Sequence, residues 1–415
     1  MDADSLALAA PARSAQVRPH APMPRGLVLL FAAASGLSVA NVYYAQPLLD
    51  ALARDFGITR AAVGGVVTAT QAGCALALLL LVPLGDRVER RRLMIVQLLV
   101  LAGALCVVSL ARSVAVLLAG MLGVGMLGTA MTQGLIAYAA AAAAPEERGR
   151  VVGAAGSGVF IGLLLARVFA GGVSDLAGWR GVYGCSAAVM LALGVPLWRR
   201  LPKLARVAQE PMSYGQLIIS MCALLRSDRV LQTRGVLALL MFAILNIFWS
   251  ALVLPLSAPP YQFSHTAIGA FGIAGATGAL AAARAGQWAD RGWGQRTSAA
   301  ALALLLLAWW PLSMLSQSLW MLLIGIVLLD LGGQALHVTN QSLIFRGGEQ
   351  LHSRLVSLYM LFYAVGSGLG AIATTATYAV AGWHGVCELG AAVSLLALLF
   401  WALTARSMAR AASRA

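Results

Sequence analysis

Apolar runs recur along this chain, separated by short polar joints. They fall at about 25–48, 61–84, 93–111, 113–142, 151–175, 181–198, 234–257, 265–288, 297–316, 318–345, 355–379 and 385–405. A helix crosses a bilayer in roughly 20 apolar residues, so each run is long enough for one crossing. Lipid offers no partner to an unpaired backbone group, which favours helices over an open sheet. The pattern therefore predicts twelve membrane helices, with the joints at 112 and 317 the shortest. The longest non-membrane stretch, 199–233, divides the runs six and six. The organisation expected is an N-terminal tail at 1–24, a six-helix half at 25–198, a linker at 199–233, a second half at 234–405 and a tail at 406–415.

The first tail is polar, rich in Ala and Pro, and reads as disordered; it lacks the compact apolar core and cleavage site of a signal peptide. In the linker, SYGQLIISMCALLRSDRVLQTR alternates apolar and basic character and reads as an amphipathic helix on the inner leaflet.

Composition agrees with a lipid-facing chain. Hydrophobic residues make up 60% and charged residues 11%, where soluble proteins carry about 25% charge. The net charge of +14 would suit a nucleic-acid binder, but its placement excludes that partner. With the N-terminus in the cytoplasm, 23 of the 29 Lys and Arg fall on the cytoplasmic side and four (Arg54, Arg60, Arg112, Arg180) on the other. Arg167 and Arg284 lie inside runs. This is the positive-inside asymmetry, and it puts both termini in the cytoplasm. Arg90, Arg91 and Arg92 serve first as topology anchors.

A shift of 204 residues superposes the chain on itself. Asp86 and Arg87 land on Asp290 and Arg291, Gly128 on Gly332, Arg150 on Arg354 and Gly162 on Gly366. Gly178, Trp179, Gly181 and Val182 land on Gly382, Trp383, Gly385 and Val386. The register holds without slip, so the halves are repeats. An even number of crossings between equivalent points keeps them the same way up. Parallel repeats with a site at the midplane between them are one layout of secondary transporters.

The loop GDRVERRR after the second run, its partner GQWADRGWGQR after the eighth, and the duplication over about residues 25 to 405 resemble the major facilitator superfamily. NVYYAQPLL in the first run and DLGGQALHVTNQS in the tenth look like its bacterial efflux-type members, among them drug and sugar exporters. The resemblance implies an all-α integral membrane fold with twelve transmembrane helices in two parallel six-helix pseudo-repeats. It implies alternating access, with proton-coupled export of a small, partly apolar or sugar-like molecule; the alternative is a proton symporter or facilitator importing a small solute. It implies substrate, protons and the bilayer as partners, no cofactor, a monomer, and the bacterial inner membrane. Some positions depart from the family pattern: Val82 and Glu89 stand where its loop has Gly, the fourth run has no Arg in its apolar half, and the fifth lacks Gly-Pro. The resemblance also makes Asp86 with Arg87, and Asp290 with Arg291, gating residues that face a helix N-terminus on the opposite half. An acid at such an end is stabilised by the helix dipole.

Asp330 is the one acid deep in a run. Burying its charge costs roughly 2.5–3.5 kcal/mol on insertion scales, so it is a functional candidate. Asp330, Gln334, His337 and Gln341 are spaced 4, 3 and 4 and share a helix face, which reads as a stripe lining a water-filled cavity. Arg167 lies about as far from Arg150 as Asp330 lies from Arg346, so both sit roughly 25 Å deep at 1.5 Å per residue. Asp330, His337 and Arg167 are the proton-coupling candidates. Either Arg167 and Asp330 pair, offsetting each other's burial, or they stand apart, with Arg167 receiving an anionic substrate and Asp330 carrying a proton. Arg284, near Asp290, snorkels to the interface.

The first run adds Asn41, Tyr43, Tyr44 and Gln46, the fourth Thr132 and Gln133, and the seventh Asn246 and Trp249. In the resembling family, helices 1, 4, 7 and 10 surround the cavity. Asn41, Tyr44, Gln133, Asn246, Gln334 and Gln341 are therefore the substrate-cavity candidates.

Other classes fall away. GVGMLG matches a dinucleotide pattern but sits inside an apolar run with no preceding strand, so it reads as close helix packing. Lys203 is the one Lys, so the chain holds no nucleotide-binding G-x-x-x-x-G-K-[ST] loop to power an ATP-driven pump. The five Cys are scattered and the five His show no ligand spacing, so neither a metal site nor an enzyme is expected.

Overall fold

The computed structural model describes residues 23–86, 88–144, 146–202, 214–344 and 352–412. Residues 1–22, linker residues 203–213, the last three residues and the positions 87, 145 and 345–351 lie outside them, so the expectation of a disordered tail does too. The described chain is helical, with no strand among the described residues.

The first helices are α1 (Arg25–Tyr43), α2 (Leu49–Phe56), α3 (Gly65–Leu76), α4 (Arg90–Ser109), α5 (Val114–Ala142) and α6 (Arg148–Arg200). After the linker come α7 (Tyr214–Ser227), α8 (Arg229–Ala251), α9 (Val253–Leu256), α10 (His265–Ala274), α11 (Thr277–Trp288) and α12 (Gly294–Leu307). The last are α13 (Trp309–Ser313), α14 (Leu319–Ile344) and α15 (His352–Ala412).

Among the described residues, nine helical stretches are long and apolar enough to cross a membrane. Two of them, of 53 and 52 residues, are far longer than one crossing needs. Each contains a break. Gly178 interrupts α6 with φ of 69°, and Gly382 interrupts α15 with φ of 61°. Only Gly adopts such left-handed angles without strain, so the sequence places it where two helical segments join. The duplicated Gly-Trp pairs thus occupy matching joints. After each joint the Trp indole donates to a neighbouring element: Trp179 to Asp55 Oδ2 at 3.0 Å, Trp383 to the Leu312 carbonyl at 2.8 Å.

The joints between runs have local causes. Ser113 caps α5 by accepting from the Val116 amide, which fixes the break near 112. Asp228 caps α8, its Oδ1 accepting from the amides of Val230 and Leu231 at 2.8 and 2.9 Å. This corrects two expectations. The amphipathic linker segment is two helices, not one, and α8 starts at Arg229 rather than 234 because the acid stops α7 and starts α8.

The helices gather in two groups. In the first, α1 lies against α5 and α6, and α4 against both of the same pair. In the second, α8 lies against α14 and α15, while α11 and α12 flank α14. Small residues let the backbones touch. A Cβ added at Gly162 would sit 2.2 Å from the Gly36 carbonyl of α1, and one at its repeat partner Gly366 would sit 2.1 Å from the Leu239 carbonyl of α8. The groups meet where α10 packs on α6 and where α3 packs on α15. Large apolar side chains such as Leu99, Ile161, Leu369 and Leu396 stay exposed on the bundle surface, where lipid is their solvent.

Candidate functional site

Between the two groups lies a cavity with about 530 Å³ of empty space, part of it open to solvent. Its charged lining residues are Arg167 of α6 and Asp330 of α14. Both are buried, at 6% and 9% exposure. The remaining wall is aromatic and aliphatic, from Phe160, Leu163 and Leu164 of α6 and Phe242, Leu245 and Trp249 of α8. Tyr43, Gln46, Asn246, Gln334 and Tyr363 supply its polar edges.

Arg167 is held by neutral partners. Its Nη2 donates to Gln46 Oε1 at 2.9 Å, and its guanidinium lies 3.9 Å from the centroid of the Trp249 ring. Such a cation over an indole is stabilised by the ring quadrupole. The Arg167 Nε is buried and has no hydrogen-bond partner. Gln46 Nε2 in turn donates to Asn246 Oδ1 at 3.0 Å, and Asn246 Nδ2 donates to Ser367 Oγ at 2.9 Å. This chain of amides ties the helix following α1 to α8 and α15. The Tyr43 and Tyr363 hydroxyls share a hydrogen bond across the same boundary.

Asp330 faces this arrangement from α14. Trp249 is its hydrogen-bonding neighbour and Arg167 its electrostatic one. Among the described ion pairs, none joins Arg167 to Asp330 within 4.0 Å. Space for the carboxylate comes from the segment after α10, where a Cβ added at Gly275 would sit 2.4 Å from Asp330 Oδ2.

The structure distributes the sequence candidates unevenly. Arg167, Asp330, Asn246 and Gln334 line the cavity. His337 does not: its Nδ1 meets the Tyr359 hydroxyl at 2.9 Å and its ring stands edge-on to Phe242. Gln341 and Gln133 are half-buried away from the lining. Asn41 is spent inside the first group, donating to the Leu37 carbonyl at 2.7 Å and accepting from Ser186 Oγ at 2.6 Å. Tyr44 packs between Phe169 and Tyr183. The cavity takes Tyr43 and Gln46 in their place. Successive helical positions turn by about 100°, so a one-residue change of register moves the whole polar face.

The gating residues are only partly visible. Asp86 closes a single 3₁₀ turn, Pro83–Asp86, but its side chain, that of Asp290 and all of Arg87 lie outside the described residues. Arg291 and Arg284 are exposed. One arginine counted on the cytoplasmic side is not at the surface. Arg234 is fully buried in α8, donating to Ser298 Oγ at 2.8 Å and Asn340 Oδ1 at 3.2 Å. The cap at Asp228 carries it into the bundle, one and a half turns past the helix start.

A second polar cluster, absent from the sequence reading, closes the end of the bundle that carries α2. Asp175 of α6 caps α10 from across the boundary, accepting from the amides of His265 at 3.0 Å and Thr266 at 2.8 Å. It also accepts from Thr266 Oγ1 at 2.6 Å. The His265 ring bridges Asp175 Oδ1 at 3.3 Å and Asp50 Oδ1 at 2.9 Å. Thr375 Oγ1 donates to the Ala61 carbonyl at 3.1 Å and Thr68 Oγ1 to the Gly368 carbonyl at 2.8 Å, stitching α3 and the turn before it to α15.

Known proteins share this architecture and much of the sequence. The family described as Major Facilitator Superfamily matches residues 29–297 and 235–414. A putative uncharacterized transporter of Escherichia coli (strain K12), YgaY, is 40% identical over 384 residues, covering 92% of this chain and 97% of its own. The probable transporter SCO4007 of Streptomyces coelicolor is 31% identical, covering 92% of this chain and 87% of its own. In fold, the chain resembles a bacterial homologue of the human lysosomal transporter Spinster, in an inward-facing and occupied conformation. The TM-score is 0.76 at 15% identity, covering 92% of this chain and 96% of that one. The chain belongs to the Major Facilitator Superfamily and is a multi-pass membrane transporter, not an enzyme.

Proposed function

We propose that the chain crosses the membrane twelve times as two six-helix halves and moves a small molecule by alternating access, driven by a proton taken up at Asp330. The observation that carries this reading is the shared cavity of Arg167 and Asp330 between the two helical groups. A buried carboxylate with no direct ion-pair partner is costly to keep charged, and a proton removes that cost. The nine apolar stretches, the two breaks at Gly178 and Gly382 and the α10–α11 segment support a count of twelve crossings.

The arginine distribution supports placing both termini in the cytoplasm, so the α2 end faces outward. In a bacterial cell this is the inner membrane, and the unit is a monomer. With the α2 end closed by Asp50, Asp175 and His265, the cavity in this conformation belongs to the inward-facing half of the cycle.

Export is the direction implied by likeness to efflux-type members. The second reading, cotransport of solute and proton, is favoured by one specific feature: the guanidinium of Arg167 stands beside a carboxylate that a proton can neutralise. The test uses an efflux-deficient bacterium expressing wild type or Asp330→Asn at matched membrane levels, scored for growth and uptake across antimicrobials, dyes and sugar analogues. Wild type should change the accumulation of at least one compound and Asp330→Asn should not. Equal effects of the two proteins would remove Asp330 from the mechanism.

A further inference from the structure

The charge balance of the cavity points to the chemistry of its cargo, and the inference rests on the second, cotransport reading above. One cation and one carboxylate line the wall. Facing Asp330 are Arg167 from α6, Trp249 from α8 and the space left by Gly275; the titratable hydroxyls of Tyr43 and Tyr363 are engaged with each other. His337 on the same helix is turned to Tyr359. When a proton neutralises Asp330, the buried charge on Arg167 loses its counter-charge, because Gln46 and Trp249 are neutral. An uncompensated buried cation is costly.

A ligand carboxylate restores the balance. The guanidinium offers one for it: Nη2 is occupied by Gln46, but Nε, buried and without a partner, presents its N–H on the edge that carboxylates bind. A cationic ligand meets Arg167 instead and is repelled. A dianion overshoots the single positive charge. A sugar needs many free hydrogen-bonding groups, whereas Gln46 and Asn246 are bonded to each other. The apolar wall of Phe160, Leu163, Leu164 and Phe242 suits an aromatic or aliphatic body.

We infer that the cavity binds a small organic monoanion, a carboxylate on an apolar body, which loads together with a proton on Asp330. An ionised Asp330 and the ligand carboxylate compete for the same guanidinium, so proton and anion favour each other's binding reciprocally. They then move in the same direction, one positive and one negative charge per cycle. No covalent step is involved.

The test is isothermal titration of the purified full chain with 4-phenylbutyrate, octanoate and benzoate, against the neutral amide and the amine of the phenylbutyl series. The acids should bind and the amide and amine should not. Acid binding should be about tenfold tighter near pH 5.5 than near pH 8, within the usual range of coupling between sites. Asp330→Asn should bind the acids near pH 8 as tightly as wild type does near pH 5.5, a gain that a misfolded variant cannot mimic. Arg167→Gln should lose acid binding, and Arg167→Lys should keep part of it.

Three results would overturn the inference: amide or amine binding as tight as the acid, weaker acid binding by Asp330→Asn, or no binding of any of the three acids up to roughly 10 mM, the weak end of measurable affinity. Amine binding that protons displace would sink the anion while leaving proton coupling intact. Acid binding indifferent to pH would instead sink the proton-coupled reading itself.

Discussion

The guanidinium of Arg167 rests 3.9 Å from the Trp249 ring, and the same tryptophan is the hydrogen-bonding neighbour of Asp330. An indole therefore stands in contact with both members of a charge couple that form no direct ion pair. Direct pairing would trap both charges in one stable arrangement. The mediated geometry leaves each free to change partner as the protein cycles.

This relationship predicts moderate energetic coupling. Arg167→Gln and Asp330→Asn should each destabilise the purified protein, and the double variant should be more stable than the sum of the two losses requires. The coupling expected is about 0.5–3 kcal/mol, as for residues within one electrostatic network. Unfolding transitions of the four proteins measure it; additivity within about 0.5 kcal/mol would mean the charges act independently.

Room for the Asp330 carboxylate depends on Gly275. Gly275→Ala puts a methyl where the nearest atom, Asp330 Oδ2, is 2.4 Å away, so the carboxylate has to swing aside. Transport should fall several-fold with membrane levels unchanged. Gly156→Ala, with nothing within 4 Å, is the control and should transport normally. A Gly275→Ala protein as active as that control would show that the carboxylate's position is unimportant.

At the α2 end, Asp175 holds the start of α10 by charge-assisted bonds that cross between the two helical groups. Asp175→Asn weakens them by about 1 kcal/mol, enough to shift a two-state balance several-fold. Spin labels at Thr59 and Gln262, both exposed, should then report a larger population of long distances than in wild type. An unchanged distance distribution would remove this cluster from gating.

At the opposite end, Glu147 accepts from the Met23 amide at 2.7 Å and pairs with Arg150, and these contacts hold its carboxyl below the usual range. A depressed carboxyl contributes above the ordinary value of about 4.3 and stops contributing as pH falls through its own lower value. Protection of the Met23 amide, its exchange rate relative to the intrinsic rate at the same pH, should therefore be high at neutral pH and lost in acid. In Glu147→Gln it should be low at both.

Much of this architecture was legible because membrane burial leaves a strong mark on sequence. Apolar runs marked the helices, and the Gly-Trp pairs, read as positions of the repeat, turn out to sit at joints with left-handed glycines at 178 and 382. The depth of Arg167 and Asp330 followed from counting residues to flanking arginines, and both reach one cavity. Finer features depend on helix rotation. Positions 41, 43, 44 and 46 are all polar or aromatic, so nothing in the sequence says which pair faces inward; packing of Tyr44 on Phe169 and Tyr183 decides it. Arg234 counted as a surface anchor because its depth depends on where Asp228 starts the helix. The Asp175–His265 bridge joins residues far apart in sequence, and no periodicity reports such a pairing.

The central claim is that Asp330 carries the proton that drives transport. Its most direct test follows proton movement in vesicles reconstituted with the purified chain and a trapped pH-sensitive dye, using the compound identified by the cell panel. An imposed gradient of that compound should move protons through wild type, while Asp330→Asn should exchange the compound across the membrane without moving protons. Equal proton movement through both proteins would contradict the account.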